Sequence, residues 1–254
     1  MTRVRLAIAY NGAGFRGLAP NAGVRTVIGE LTPVLEAILG PISEIHMSGR
    51  TDAGVHARHQ VLSFDTDTTI DATRLAKSIN SRLGPEVIAT SVDVAPGSFH
   101  ARFSAIGRRY RYTVLNHPHP SPFSAGFEWW VPGPLDLEAM QAACAPVVGE
   151  HDFASFCRRP KPNDDGQLIS LVRRVDSAAW SEDTDDSGQR RLRFEIAGAA
   201  FCHQMVRSIT GLHVAVGQGR RSPADVADVL AARDRNAAPS PAPPQGLMLW
   251  DVMY

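Results

Sequence analysis

Apolar segments of two kinds alternate along this 254-residue chain, and the alternation restricts it to a mixed α+β fold. Residues 4–10 read as a strand that Asn11-Gly12 ends. Helical spacing follows over 27–39, with Ile28, Leu31, Val34, Leu35 and Ile38 as the apolar set. Pro33 inside that stretch predicts a kink or a later start, and Gly40-Pro41 a stop. Residues 61–64 read as a short strand, Asp71 as the cap of a helix running to 83, and 87–94 as a further strand after Gly84-Pro85. Residues 108–115 alternate with period two, so Arg108, Tyr110, Tyr112 and Val114 share one face while Arg109 and Arg111 share the other. A helix is predicted over 135–148, then a hairpin of 171–180 with 191–197 whose acidic connection, 181–189, reads as a mobile solvated tip. Helices over 200–216 and from Ser222-Pro223, a Pro/Ala-rich connector over 237–244 and a closing strand over 247–252 complete the chain. The order β-α-β-α-β, then β-α-β-β-α-α-β, suggests two α+β halves, residues 1–104 and 105–254, divided near Ser104. The segment 158–166, with Pro160 and Pro162, reads as a long loop, either a ligand contact or a solvated insertion.

Charge narrows the partners. Acidic and basic residues balance at 26 each, so affinity for a nucleic acid has to come from a local basic face. Lys77 and Lys161 are the only lysines; the remaining cations are arginines, which suit bidentate phosphate contacts, although codon bias in a GC-rich genome gives the same pattern. The three cysteines, Cys144, Cys157 and Cys202, form no C-x-x-C pair and suit a reducing, cytoplasmic compartment. The apolar start breaks at Asn11-Gly12, too soon for a signal peptide, and no run reaches transmembrane length, so no membrane partner is expected.

The richest chemistry lies in Gly49-Arg50-Thr51-Asp52-Ala53-Gly54-Val55-His56. Asp52 stands two residues after a cation and beside small residues that let a ligand or another backbone approach. Such a carboxylate can stay ionised and serve as nucleophile or base; the same residues also describe a polar Asp-Ala-Gly turn. Three other sets call for comment. His46, His56, His59, His100 and His203 lack the H-E-x-x-H or Cys/His spacing of a metal site, so no metal is expected. Tyr110 and Tyr112, flanked by arginines, resemble a stacking platform for an unpaired base, or are two half-buried strand residues. In 201–207, read as helical, Phe201 and Met205 join the core stripe while His203 and Arg207 lie four apart on another face. A buried Arg207 there requires an anionic partner.

Taken together and in order, these segments resemble the tRNA pseudouridine synthase A family. The octapeptide resembles its catalytic motif. Phe99-His100-Ala101-Arg102-Phe103-Ser104-Ala105 with Arg109-Tyr110-Arg111-Tyr112 resembles its second motif. Gly149-Glu150-His151-Asp152-Phe153-Ala154-Ser155-Phe156 is similar to a structural segment of its second half. Residues 201–207 with Gly211 resemble its third motif, and Pro243-Pro244-Gln245-Gly246-Leu247 its closing one. The resemblance implies a pseudouridine synthase fold: two related α/β halves, a central mixed, mostly antiparallel sheet and a cleft between them. It implies an isomerase that turns uridine into pseudouridine at positions 38 to 40 of the tRNA anticodon stem-loop, without metal or organic cofactor, as a homodimer. Asp52 is then the nucleophile or base, with the route open. Arg207 pairs with it, Tyr110 stacks on the flipped uracil, Arg50 fills the space the nucleotide leaves, and Leu247 lines the uracil pocket. A base must leave its stack before such chemistry, at a cost of a few kcal/mol. The chain departs from the family at its start, reading Tyr10-Asn11-Gly12 and Gly17-Leu18-Ala19-Pro20-Asn21 where the family has Tyr-Asp-Gly and Gly-Trp-Gln, which bears on substrate placement. The rival readings are an RNA-binding paralogue with altered target or lost catalysis, and a metal hydrolase built on the histidines.

Overall fold

A computed structural model describes residues 1–159, 162, 166–184 and 188–254. In chain order its elements are β1 (Thr2–Tyr10), α1 (Val27–Leu39), β2 (His46–Met47), β3 (His56–Thr66), α2 (Ala72–Leu83), β4 (Val87–Val94), β5 (Gly107–Asn116), β6 (Trp129–Trp130), α3 (Leu137–Ala142), β7 (Gly149–Asp152), β8 (Val172–Thr184), β9 (Arg190–Gly198), α4 (Met205–Gly217), α5 (Asp225–Ala232) and β10 (Leu247–Met253). The chain divides into two compact units, Met1–Arg108 with Met248–Tyr254, and Arg109–Leu247.

The first unit has strand order β4-β1-β3-β10. β1 runs antiparallel to β3 and to β4, β2 runs antiparallel to β3, and β10 lies parallel to β3 through Met248 and Leu249. Val4, Leu6 and Ile8 of β1, at period two, are wholly buried, as are Leu62 and Phe64 of β3. α1 begins where the Thr26 hydroxyl accepts from Gly29 N (3.1 Å) and continues through Pro33 to Leu39, so the later start suggested by Pro33 does not occur. Asp71 caps α2 by accepting from Arg74 N at 2.9 Å, as its position in the sequence predicts.

In the second unit the strand order is β5-β9-β8-β7, with β8 antiparallel to both neighbours and β6 parallel to β5. β8 and β9 form the expected hairpin, reaching Thr184 opposite Arg190; residues 185–187 of its connection, like most of the 158–166 loop, lie outside the described residues. β7 has no apolar pattern because it is an edge strand joined to β8 by main-chain pairing. α3 is shorter than predicted. Asp136 caps it, and Pro146 cannot donate to a helical ladder, so the chain leaves α-geometry for a 3-10 turn over Ala145–Val147. α4 is the buried centre of this unit: every residue but Arg207 is buried. Trp180 stacks on Phe194 with centroids 5.0 Å apart and donates from Nε1 to His213 Nδ1 (3.1 Å). Full burial pushes the His213 pKa down to about 3, so the ring is neutral with its proton on Nε2. Ser222 and Asp225 exchange hydrogen bonds at the entry to α5, the Asp accepting from Ser222 N and the Ser hydroxyl from Asp225 N. Cys144, Cys157 and Cys202 are free thiols.

Candidate active site

The Asp52 loop connects β2 to β3 and is fastened on both sides. Behind it, Ser48 N donates to Val61 O (2.9 Å), the Ser48 hydroxyl to Gln60 Oε1 (2.5 Å), and Gln60 Nε2 to Gly49 O (2.8 Å). Ahead of it, Thr51 and Tyr10 share a hydroxyl hydrogen bond of 2.7 Å, and Val55 N closes a turn on Asp52 O at 3.2 Å. Gly54 turns at φ +78°, a conformation that favours glycine. The loop therefore is a turn, as the bland reading of the sequence held, and a firmly held one. Asp52 is half-buried on it, whereas Arg50 is exposed.

The stretch that departs from the family pattern supports this loop from beneath. Gly12 N donates to Nδ1 of the buried His56 (3.0 Å), Leu18 N to Thr51 O (3.3 Å) and Gly54 N to Phe15 O (3.3 Å). A side chain at Gly12 would overlap the Val55 carbonyl, and one at Gly17, where φ is +107°, would stand 3.1 Å from Thr51 O. Asn11 itself accepts from Ala13 N (3.1 Å), so its amide serves the local turn. The second motif is a strap in the same unit. Arg3 Nη1 donates to Phe99 O (2.6 Å), Ala101 N to the Ser63 hydroxyl (3.0 Å) and the Tyr254 hydroxyl to Ala101 O (2.7 Å). Arg108, buried on the face its alternation predicts, donates to Ser48 O (2.6 Å) and Arg102 O (2.9 Å), tying strap to loop.

In the second unit three of the motif segments converge. Tyr112 is wholly buried and donates to Pro243 O (2.8 Å). Gly246 packs on the Tyr112 ring so closely that a Cβ there would lie 2.5 Å from Cζ. Arg207 Nε donates to Ala242 O (2.7 Å) and Ala242 N to Arg207 O (2.9 Å), and a Cβ at Gly211 would meet Ser240 O at 2.6 Å. Burial raises the Tyr112 pKa, the nearby Arg207 charge opposing it. Tyr110 is 8% exposed, with the Phe201 ring edge-on at 5.2 Å, and Leu247 is buried. Arg111, on the other face of β5, pairs with Glu195 (2.8 and 2.5 Å).

Two expectations require correction. Residues 201–204 are not helical: Gln204 takes a left-handed conformation, φ +66°, and α4 begins only at Met205. Phe201 and His203 therefore share no helix face with Arg207; His203 is exposed and its carbonyl accepts from Arg158 N (3.0 Å). Nor do Tyr110 and Tyr112 make a platform of two open rings, since Tyr112 is core. Gln60, Thr51 and Tyr10 hold the loop through contacts that residue type and spacing do not signal, Gln60 following the polar Arg58 and His59. Among the described residues no group of three His, Cys, Asp or Glu side chains is placed to hold a metal, and no helix is long and apolar enough to cross a membrane.

The family model described as tRNA pseudouridine synthase matches residues 143–254. The tRNA pseudouridine synthase A of Listeria monocytogenes serotype 4b is 39% identical over all of both chains, and that of Brevibacillus brevis 38% over all of both. The enzyme of that name from Geobacillus kaustophilus is 38% identical over 99% of this chain and 94% of its own. The chain belongs to the tRNA pseudouridine synthase family. The solved "Crystal Structure of a Cbf5-Nop10-Gar1 Complex" aligns with 83% of this chain and 45% of its own at a TM-score of 0.31 and 13% identity, a level from which no argument follows.

Proposed function

We propose that the protein is a tRNA pseudouridine synthase that isomerises uridine to pseudouridine in the anticodon stem-loop, at positions 38 to 40. The observation that carries this reading is identity of 39% along the whole of a tRNA pseudouridine synthase A. The rigid seating of Asp52 supports it, because a carboxylate that starts a reaction on one nucleotide has to be held in place before the nucleotide arrives.

Asp52 is the residue that opens the reaction on a uridine flipped out of its stack. The N1–C1′ bond breaks, the base turns, and C5 bonds to C1′; the C5 proton is lost and N1 ends protonated. The net change is a proton moved from carbon to nitrogen, so the reaction balances with no redox or group-transfer reagent. Arg207 pairs with the Asp52 carboxylate and holds its orientation. Tyr110 stacks on the uracil, Leu247 lines its pocket, and Arg50, exposed on the same loop as Asp52, occupies the space the base leaves. The working form is a homodimer in the cytoplasm, with no membrane partner. The test is incubation of purified protein with an unmodified tRNA transcript, followed by base-resolved detection of pseudouridine. Product at positions 38 to 40 is expected. A protein that binds the transcript but yields no product is a binding paralogue, and the reading fails.

A further inference from the structure

A cavity of about 480 Å³ in the second unit is lined by Arg158, Arg159, Arg233 and Arg235, with Gln204 and Asp234. In a chain whose formal charges cancel overall, four arginines against one carboxylate on a single concave surface is a local concentration of positive charge. The frame around it is firm. Ser155, fully buried, accepts from Asp234 N (3.0 Å), and Asp234 in turn accepts from Asn236 N (3.0 Å), so its carboxylate is engaged in the turn over Arg235–Ala237. Arg235 donates to the carbonyls of Ala238 and Pro239 (3.2 Å each), contacts that orient the guanidinium and leave its charge in place. Arg233, at φ +49°, lies 3.8 Å from Asp152, itself only partly exposed. The left-handed Gln204 on the wall is also the N-cap of the 13-residue α4; its side chain makes no capping hydrogen bond, and the first turn carries no acidic residue. A helix N-terminus without a cap favours an anion, and here it opens where the arginines gather. Arg207 stands three residues further along the same helix.

We infer that this cavity binds backbone phosphates of the RNA substrate. The inference rests on the function proposed above. Guanidinium forks suit the phosphodiester, and each phosphate they neutralise releases counterions, which makes the contribution measurable by salt.

The test compares the wild-type chain with Arg158→Gln/Arg159→Gln/Arg233→Asn, in which Asn tolerates the left-handed backbone at 233. Arg235 is left intact because it ties two carbonyls. Affinity for an unmodified tRNA transcript is measured from 50 to 300 mM salt by anisotropy, alongside turnover. The variant should bind about tenfold more weakly at low salt, with the slope of log affinity against log salt shallower by ~2 to 3. KM should rise by more than kcat falls. Arg158→Lys/Arg159→Lys/Arg233→Lys should recover most of the slope, which a purely structural defect would not. Wild-type turnover with an unchanged slope in the glutamine variant overturns the inference and leaves the enzyme function standing. Absence of both tRNA binding and turnover in the wild type overturns both. Titration with inorganic phosphate is the remaining arm: tight phosphate binding lost in the variant, with tRNA binding unchanged, would make the cavity a small-anion site and likewise overturn it.

Discussion

The Asp52 loop and the entrance to α4 each deliver a charged side chain near the start of a regular element, and they are held by different shares of side-chain and main-chain bonds. On the Asp52 loop side chains join the main-chain bonds: Thr51 to Tyr10, Ser48 to Gln60, Gln60 to Gly49, Arg108 to Ser48. Main chain fastens most of the α4 entrance, Met205 N to Cys202 O (3.1 Å), Ser208 N to Gln204 O (2.9 Å) and Ala242 N to Arg207 O (2.9 Å). The first arrangement depends on residue identity and is sensitive to single substitutions. The second depends on the path of the backbone and, at Gly211 and Gly246, on the absence of a side chain. On the Asp52 loop the backbone that carries the carboxylate is placed by contacts that its neighbours Ser48, Gly49 and Thr51 make.

The largest test of that contrast is Asp52→Ala, which should reduce pseudouridine formation by about a thousandfold or more while the melting curve barely moves. Undiminished turnover would remove Asp52 from the reaction. Next is Gly12→Ala. Its methyl group would overlap the main-chain carbonyl of Val55, which cannot move away, and unfolding free energy should fall by about 3 kcal/mol in denaturant titration. Gly246→Ala is the counterpart in the second unit, crowding the buried Tyr112 ring, and an equal loss there would show both regions to be equally unyielding.

Acid provides a third comparison, confined to the second unit. His213 titrates near 6.5 when unfolded and near 3 when folded, because burial disfavours the cation. The unfolded chain thus takes up a proton first. Its stabilising contribution is complete above pH 6.5 and is lost as pH falls toward 3, at roughly 1.4 kcal/mol per unit. His213→Gln should flatten stability between pH 6 and pH 4, and a curve identical to wild type would mean that His213 is not the group responsible. The smallest effect is expected for Thr51→Val, which deletes the hydroxyl bond to Tyr10. About 1 kcal/mol of stability should go. If side chains position the loop, kcat should drop with it, by about tenfold. Tyr112→Phe removes a hydroxyl bond of similar length to Pro243 O and should cost similar stability, so a matching loss of kcat would erase the distinction between the two regions.

How far the sequence could be read follows from the range of the forces involved. Thr26, Asp71 and Asp136 act on amides three residues away, so the helix starts they define are visible locally. Alternation in 108–115 gave the correct buried face because period two is a property of the strand itself. The start of α4 was misplaced because Gln204 carries no composition signal for a left-handed turn, and β7 was missed because an edge strand needs only a neighbour's main chain. Within the candidate site, the octapeptide marks Asp52 as the candidate, but not the residues that hold its loop.

By itself the sequence determined the longer elements and their order, the Asp71 cap, and the family, since local periods and contiguous motifs are sufficient for those. The tertiary structure decided which polar groups are sealed inside and what they hold. Tyr112 reaches Pro243, 131 residues away, Arg108 reaches Ser48, 60 away, and Arg207 reaches Ala242, 35 away. A tyrosine or arginine is free to face water or carbonyl alike. The choice is made when distant segments pack and remove the water, and most buried donors then find an acceptor there.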